Sequence, residues 1–227
     1  MVYRPFFVES YDEITTILLE IERAVKMNNV FISGSAYEYN GVWNEGRAEE
    51  FSRKLAKQLI CENFRITSGF GLGIGSAILN GALDEIYVSK FKHMDEYLCL
   101  RPFPKNFSKE EEKKERHAKY RKDMLQDVGI VVFLFGNKLQ TNDMTGENHT
   151  INSNGCREEF EIAKQDGKII IPLGSTGYMA KEIFDEIKND KERYSYLRPY
   201  WDVLETETDI DRLIQVVIKI AKEQRVY

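Results

Sequence analysis

The feature that most constrains the fold is a glycine-rich stretch, TSGFGLGIGS, at residues 67–76. It follows a short β-type run and opens a segment in which apolar residues recur at helical spacing. Glycines at a strand-to-helix turn let a ligand approach the backbone closely, and the helix start supplies free N–H groups, so the stretch favours phosphate contact. The strict dinucleotide pattern G-x-G-x-x-G and the P-loop pattern are both absent. The glycines could therefore also serve helix–strand packing alone.

Composition narrows the class of protein. A chain of 227 residues with 42% hydrophobic residues is long enough for one large domain with an ample core. A net charge of −5 argues against general binding to nucleic acid or to anionic membranes. The three cysteines and three histidines show no metal-ligand spacing, and no apolar run reaches membrane-spanning length. We expect a reduced, cytoplasmic protein that holds no metal and no cofactor.

Short apolar runs alternate with helix-patterned segments along most of the chain. This alternation predicts an α/β fold, a Rossmann-like doubly wound parallel sheet with helices on both faces. Before the first buried strand, residues 4–8 predict an edge strand and residues 10–27 a capped helix. Residues 137–154 are polar and without periodicity, and they predict a long loop.

In doubly wound sheets, ligands bind outside the carboxyl ends of the strands. Arg101 follows the strand predicted after the glycine-led helix, where an NAD-binding enzyme would carry an acidic residue, so it argues against ordinary NAD(H) binding. Arg121 and Lys122 add positive charge, although both could lie on a solvated helix face. The residues predicted to contact a ligand are Ser33, Gly34, Ser35, Gly69, Gly71, Leu72, Gly73, Arg101, Arg121, Lys122, Asn137, Lys138, Glu159 and Tyr178.

Seven separated motifs occur in an order that resembles the SLOG superfamily. They are FISGSA (31–36), ITSGFGLGIGS (66–76), LRPFP (100–104), YRKDM (120–124), FLFGNK (133–138), GCREEF (155–160) and IIPLGSTGYMAKEIF (170–184). The chain is most similar to the SLOG domain that follows a sirtuin-like NADase in Thoeris anti-phage effectors. This resemblance implies a nucleotide-binding domain over residues 28–227, preceded by a strand–helix linker at residues 1–27.

The resemblance also implies a function and partners. A domain of this kind is a sensor for a cyclic ADP-ribose isomer made by a TIR-domain protein, and binding activates the neighbouring NADase. Arg101, with Arg121 or Lys122, would neutralise the ligand's pyrophosphate. Glu159 would accept hydrogen bonds from ribose hydroxyls, and Tyr178 could contact the purine or a ribose. The chain would form a homodimer or a tetramer.

Two alternatives stay open. The wider superfamily includes phosphoribohydrolases that release a base from a nucleoside monophosphate, and Arg121 and Glu159 match their catalytic arginine and glutamate. Residues 137–154 separate Gly136 from Gly155 and interrupt the compact diglycine phosphate turn of those enzymes. The other alternative is an oligomerisation module in which the glycines only permit close packing.

Overall fold

The computed structural model describes residues 10–104, 110–142 and 145–225. The strands are β1 Asn29–Ser35, β2 Arg65–Ser68, β3 Leu98–Leu100, β4 Ile130–Phe135, β5 Asn137–Thr141, β6 Asn148–Asn152 and β7 Ile169–Pro172. The α-helices are α1 Tyr11–Met27, α2 Glu45–Cys61, α3 Gly75–Val88, α4 Met94–Tyr97, α5 Glu110–Leu125, α6 Asn154–Gln165, α7 Tyr178–Lys188, α8 Trp201–Thr206 and α9 Ile210–Arg225. Two short 3-10 helices span Gly174–Thr176 and Ser195–Tyr200. The strand predicted at residues 4–8 lies outside the described residues.

The central sheet has five parallel strands in the order β3-β2-β1-β4-β7. The sequence of β4, IVVFLF, is buried at every position, as expected for a strand covered on both faces. Along the chain, β2 and β3 are added to one side of β1, and β4 is then added to the other side of β1. The carboxyl ends of β1 and β4 therefore form the point at which the strand order reverses, where ligands bind in such sheets. The predicted Rossmann-like α/β fold is confirmed.

The helices pack around this sheet through apolar faces. Helix α2 packs against α3 and α9, while α5 packs against α6 and α6 against α7. The ring of Phe160 on α6 lies edge-on to Phe133 on β4, with 6.0 Å between ring centroids. Both side chains are almost fully buried, so this contact fixes α6 against β4.

The prediction of a long loop at residues 137–154 is wrong. The segment forms an antiparallel hairpin in which Asn137 pairs with Asn152 and Thr141 with Asn148. Because most of its side chains are polar and exposed, the hairpin lacks the alternation of apolar residues by which strands are recognised in a sequence. At its base the Ser153 N–H donates to the Gly136 carbonyl oxygen over 2.8 Å. The hairpin therefore returns the chain to the end of β4 before α6 begins.

Helix α1 stands largely apart from the rest of the domain. The Ser10 hydroxyl accepts a hydrogen bond from the Glu13 N–H at 3.3 Å, which confirms the predicted helix start. Met27 is the buried residue of this helix. Large apolar side chains remain exposed along one stripe at alternating spacings of three and four: Tyr11, Ile14, Leu18, Ile21 and Val25. None of the helices in the described ranges is long and apolar enough to cross a membrane.

Candidate functional site

A cleft of about 160 Å³ lies where the sheet order reverses. Its walls come from the end of β1, the glycine loop after β2, helix α5 and the first turn of α6. The lining residues are Phe31, Ile32, Ser33, Gly34, Ser35, Gly69, Gly71, Phe103, Arg121, Ser153, Gly155, Cys156 and Glu159. Seven residues predicted to contact a ligand are thus brought together: Ser33, Gly34, Ser35, Gly69, Gly71, Arg121 and Glu159.

The glycines of the loop after β2 are required by close backbone contact. A Cβ atom at Gly71 would lie 1.9 Å from the carbonyl oxygen of Gly34, and one at Gly73 would lie 2.1 Å from that of Ala36. Gly73 also has a φ of +78°, which favours glycine. The Ala36 N–H donates to the Leu72 carbonyl oxygen over 2.8 Å. The glycine loop therefore packs directly on the end of β1. Its glycines permit this close packing and at the same time form a wall of the cleft.

Glu159 projects from α6 into the floor of the cleft and is buried. The Ser33 hydroxyl donates to its Oε2 atom over 2.6 Å, which ties the carboxyl group to the end of β1. Burial raises the pKa of Glu159 to about 7, and this effect is opposed by the hydrogen bond from Ser33 and by the charge of Arg121. Glu159 can therefore act as a hydrogen-bond acceptor or donor near neutral pH.

Arg121 places a guanidinium group at the side of the cleft. Its Nη1 donates to Glu158 Oε2 over 2.5 Å, and its Nε lies 3.6 Å from Glu159 Oε1. The guanidinium carbon lies 4.8 Å from the ring centroid of Phe103. The buried Nε has no hydrogen-bond partner among the described residues. These contacts hold a positive charge with unused donor capacity beside the glycine loop.

Gly155 leaves room for this guanidinium. A Cβ atom there would lie 2.9 Å from Arg121 Nη2. The Ser153 hydroxyl accepts a hydrogen bond from the Cys156 N–H at 3.4 Å and caps α6, so the first turn of that helix borders the cleft. An anion in the cleft would therefore meet both the Arg121 donors and the positive end of the helix.

Lys122 and Arg101 are not among the residues that line this cleft. Lys122 lines a separate cavity of about 790 Å³ at the opposite, amino-terminal end of the strands, together with Lys26 and Lys168. Arg101 is exposed beyond the edge strand β3, where its Nε donates to Cys99 Sγ over 3.4 Å. Neither side chain lies beside Arg121 in the lining of the cleft.

Asn137 is fully buried and is used within the protein. Its Oδ1 accepts hydrogen bonds from the N–H groups of Tyr37 and Glu38 at 2.8 and 3.0 Å, and its Nδ2 donates to the Glu38 carbonyl oxygen over 2.9 Å. The side chain thereby fixes the loop after β1. Lys138 follows on the hairpin and is partly exposed.

The remaining predicted residues, Leu72, Gly73 and Tyr178, do not line the cleft. Leu72 is exposed on the glycine loop, and Gly73 is pressed against Ala36. Tyr178 begins α7 with a φ of +54°, and burial together with the charge of Glu38 raises its pKa. Its side chain is half-buried.

Six lining residues were not among the predicted contacts, namely Phe31, Ile32, Phe103, Ser153, Gly155 and Cys156. Phe103 belongs to the LRPFP motif and Cys156 to GCREEF. Membership of these motifs is the sequence signal by which the two residues could have been predicted to line the cleft. Burial raises the pKa of the Cys156 thiol to about 12, which keeps it protonated and unreactive.

The raised pKa of Glu159 gives a testable dependence of stability on pH. The folded state favours the protonated carboxyl, so its contribution to stability is complete below the ordinary value of 4.5 and is lost as the pH rises through about 7. Glu159→Gln cannot ionise. The free energy of unfolding of the variant minus that of the natural protein is therefore expected to increase by up to about 3 kcal/mol between pH 4.5 and pH 8.

Urea unfolding of both proteins at the two pH values measures this change. The matched control is Glu161→Gln, which removes a carboxyl group from an exposed position on the same helix. If the difference in the free energy of unfolding between Glu159→Gln and the natural protein did not change with pH, this would contradict the raised pKa of Glu159.

Comparison with known proteins agrees with the fold and the motifs. The family model described as Sir2- and TIR-associating SLOG matches residues 13–224. The chain is 41% identical over 187 residues to the NAD(+) hydrolase ThsA of Acinetobacter baumannii, covering 82% of this chain and 39% of that protein. It is 36% identical over 221 residues to the NAD(+) hydrolase ThsA of Bacillus cereus, covering 95% of this chain and 44% of that protein.

A relative from Enterococcus faecium, also an NAD(+) hydrolase ThsA, is 32% identical over 218 residues, which is 94% of this chain and 43% of the relative. The chain therefore spans less than half the length of these relatives. The family model covers nearly the whole domain, including the glycine loop, α5 and the start of α6. This chain belongs to the Sir2- and TIR-associating SLOG family.

Proposed function

We propose that this chain is a sensor that binds a cyclic ADP-ribose isomer made by a TIR-domain protein and thereby activates an associated sirtuin-like NADase. The observation that carries the proposal is the Arg121 guanidinium, held in a cleft at the switch point of the sheet between the glycine loop and the start of α6. The family description, which joins this domain to Sir2 and TIR proteins, and the name NAD(+) hydrolase of the relatives support the biological setting.

The cleft suits the phosphate-bearing part of such a ligand. Its volume of about 160 Å³ is below the ~300–1,000 Å³ of pockets that enclose whole drug-sized molecules. A phosphate beside Arg121 would be met by charge-assisted donors, while Glu159 and Ser33 offer polar partners for a ribose hydroxyl. The purine would then lie over the rim of the cleft, with Leu72 on the glycine loop and Tyr178 as candidate contacts.

Coupling to an effector would run through the amino-terminal segment. In this proposal residues 1–27 link the NADase to the nucleotide-binding domain formed by residues 28–227. The exposed apolar stripe of α1, which begins at Tyr11 and ends at Val25, supports such a role because an apolar helix face of this kind is typical of an interaction surface. We further propose that the sensor acts as a homodimer or tetramer within the cytoplasm.

A second candidate function is the hydrolysis of nucleoside monophosphates to a free base. It is favoured by one observation, the separation of 3.6 Å between Arg121 Nε and Glu159 Oε1 inside the cleft. A carboxyl group with a pKa of about 7 is suited to general acid–base catalysis near neutral pH. The hairpin that interrupts the diglycine turn also closes at its base, which keeps Gly136 next to the start of α6.

Calorimetric titration followed by chromatography separates the two functions. The purified chain is titrated with cyclic ADP-ribose isomers, NAD, ADP-ribose and AMP, and each mixture is analysed afterwards. Binding of one cyclic isomer that is recovered intact supports the sensor. Free adenine recovered from AMP would identify the hydrolase, and absence of binding by every cyclic isomer would refute the sensor.

A further inference from the structure

The positive charge of the cleft is already paired with a carboxylate. Arg121 Nη1 donates to Glu158 Oε2 over 2.5 Å. A ligand phosphate that pairs bidentately with both Nη atoms of Arg121 would compete with Glu158 for Nη1. Glu158 therefore holds one of the donors that an anionic ligand would use.

The two glutamates beside Arg121 differ in their freedom to move. The Glu159 side chain is 9% exposed and is fixed by the hydrogen bond from Ser33, whereas the Glu158 side chain is 50% exposed. Because half of Glu158 already faces water, its carboxylate can be released to solvent without a new burial cost. Displacing Glu159 would instead break a buried hydrogen bond of 2.6 Å.

The charge count around Arg121 points the same way. Its guanidinium faces Glu159 in the cleft and Glu158 beside the cleft, so a pyrophosphate bound to Arg121 would meet repulsion from Glu158 as well as competition for Nη1. Arg121 itself cannot follow Glu158 outward easily, since its side chain is only 12% exposed and its guanidinium stacks on Phe103. The movable member of the pair is Glu158.

We propose that Glu158 is a displaceable counterion that holds Arg121 Nη1, releases it when a phosphate-bearing ligand binds, and thereby sets the affinity of the cleft for anions. The inference deepens the proposed sensor function and rests on its assignment of Arg121 to a ligand phosphate. According to this inference, Glu158 lowers the affinity of the natural protein for anionic ligands.

The test is Glu158→Gln, which keeps the size and shape of the side chain and removes its charge. The natural protein and the variant are titrated calorimetrically with inorganic pyrophosphate and with cyclic ADP-ribose isomers. We expect the variant to bind both probes more tightly by about three- to tenfold, because the competing ion pair and the like-charge repulsion are both removed. Glu161→Gln is the matched control, since Glu161 lies on the same helix and pairs with Arg157; its affinities are expected to be unchanged.

The outcomes separate this inference from the proposed function. Tighter pyrophosphate binding by Glu158→Gln, with no cyclic isomer bound by either protein, would support the counterion and refute the sensor. Binding of a cyclic isomer with equal or weaker affinity in the variant would overturn the counterion and leave the sensor intact. Failure of both proteins to bind pyrophosphate would also overturn the counterion, because the freed guanidinium would then have no affinity for a phosphate.

Discussion

Arg121→Ala is expected to weaken binding of the cyclic ADP-ribose ligand by at least about 100-fold. Each charge-assisted hydrogen bond to a phosphate contributes ~1.5–3 kcal/mol, and the guanidinium offers two or more. The truncation also leaves Glu158 and Glu159 without the positive charge that now faces them at 2.5 and 3.6 Å. Calorimetric titration with the isomer that the natural protein binds measures the loss.

The next residue along the chain supplies the control. Lys122→Ala removes a positive charge from the same helix, but Lys122 lines the cavity at the opposite end of the sheet. Its affinity for the ligand is expected to stay within about twofold of the natural value, since exposed charges at that distance are screened. Equal losses in both variants would mean that general electrostatic attraction, and not a cleft built around Arg121, accounts for binding.

The second large effect is expected for Gly71→Ala. The added methyl group would lie 1.9 Å from the Gly34 carbonyl oxygen, so the glycine loop must move away from the end of β1. We expect a destabilisation of about 1–3 kcal/mol, as for other overpacked positions. A roughly 30-fold or greater loss of ligand affinity should accompany it, because displacement of a wall by about 1 Å is costly in a preorganised site.

Thermal unfolding, ligand titration and size-exclusion chromatography test this variant together. Gly46→Ala is the control, since a Cβ atom there meets only Asn44 Oδ1 at 3.8 Å in the first turn of α2. Loss of binding by Gly71→Ala with its assembly state retained would reject the alternative in which the glycines serve only oligomerisation. Unchanged ligand binding by a folded Gly71→Ala protein would contradict the role of the loop as a cleft wall.

The strand ends were predictable from the sequence because parallel strands impose a simple rule. Once alternating strands and helices were recognised, Ser33 to Ser35 and the glycine loop had to meet at one edge of the sheet. The hairpin after β4 was not predictable, because its residues are mostly polar. Its two strands pair through their backbones and do not bury an apolar face. Asn137 was therefore predicted as a ligand contact, whereas the structure uses its side chain to fix the loop after β1.

The sequence also left the direction of the basic side chains open. Consecutive residues of a helix point about 100° apart, so Arg121 and Lys122 cannot both face one cleft without help from neighbouring elements. Packing of α5 against α6 decides between them and brings Arg121 to Glu158 and Glu159. The site depends on contacts between residues far apart in sequence, such as Arg121 and Glu158 with a separation of 37, which periodicity and local propensity do not encode.

The most direct test of the central claim is a crystal structure of this chain with the cyclic ADP-ribose isomer that binds most tightly. The account predicts a ligand phosphate within hydrogen-bond distance of Arg121, between the glycine loop and the first turn of α6, with Glu158 turned to solvent. A ligand bound instead in the cavity beside Lys26, Lys122 and Lys168, at the other end of the sheet, would contradict it.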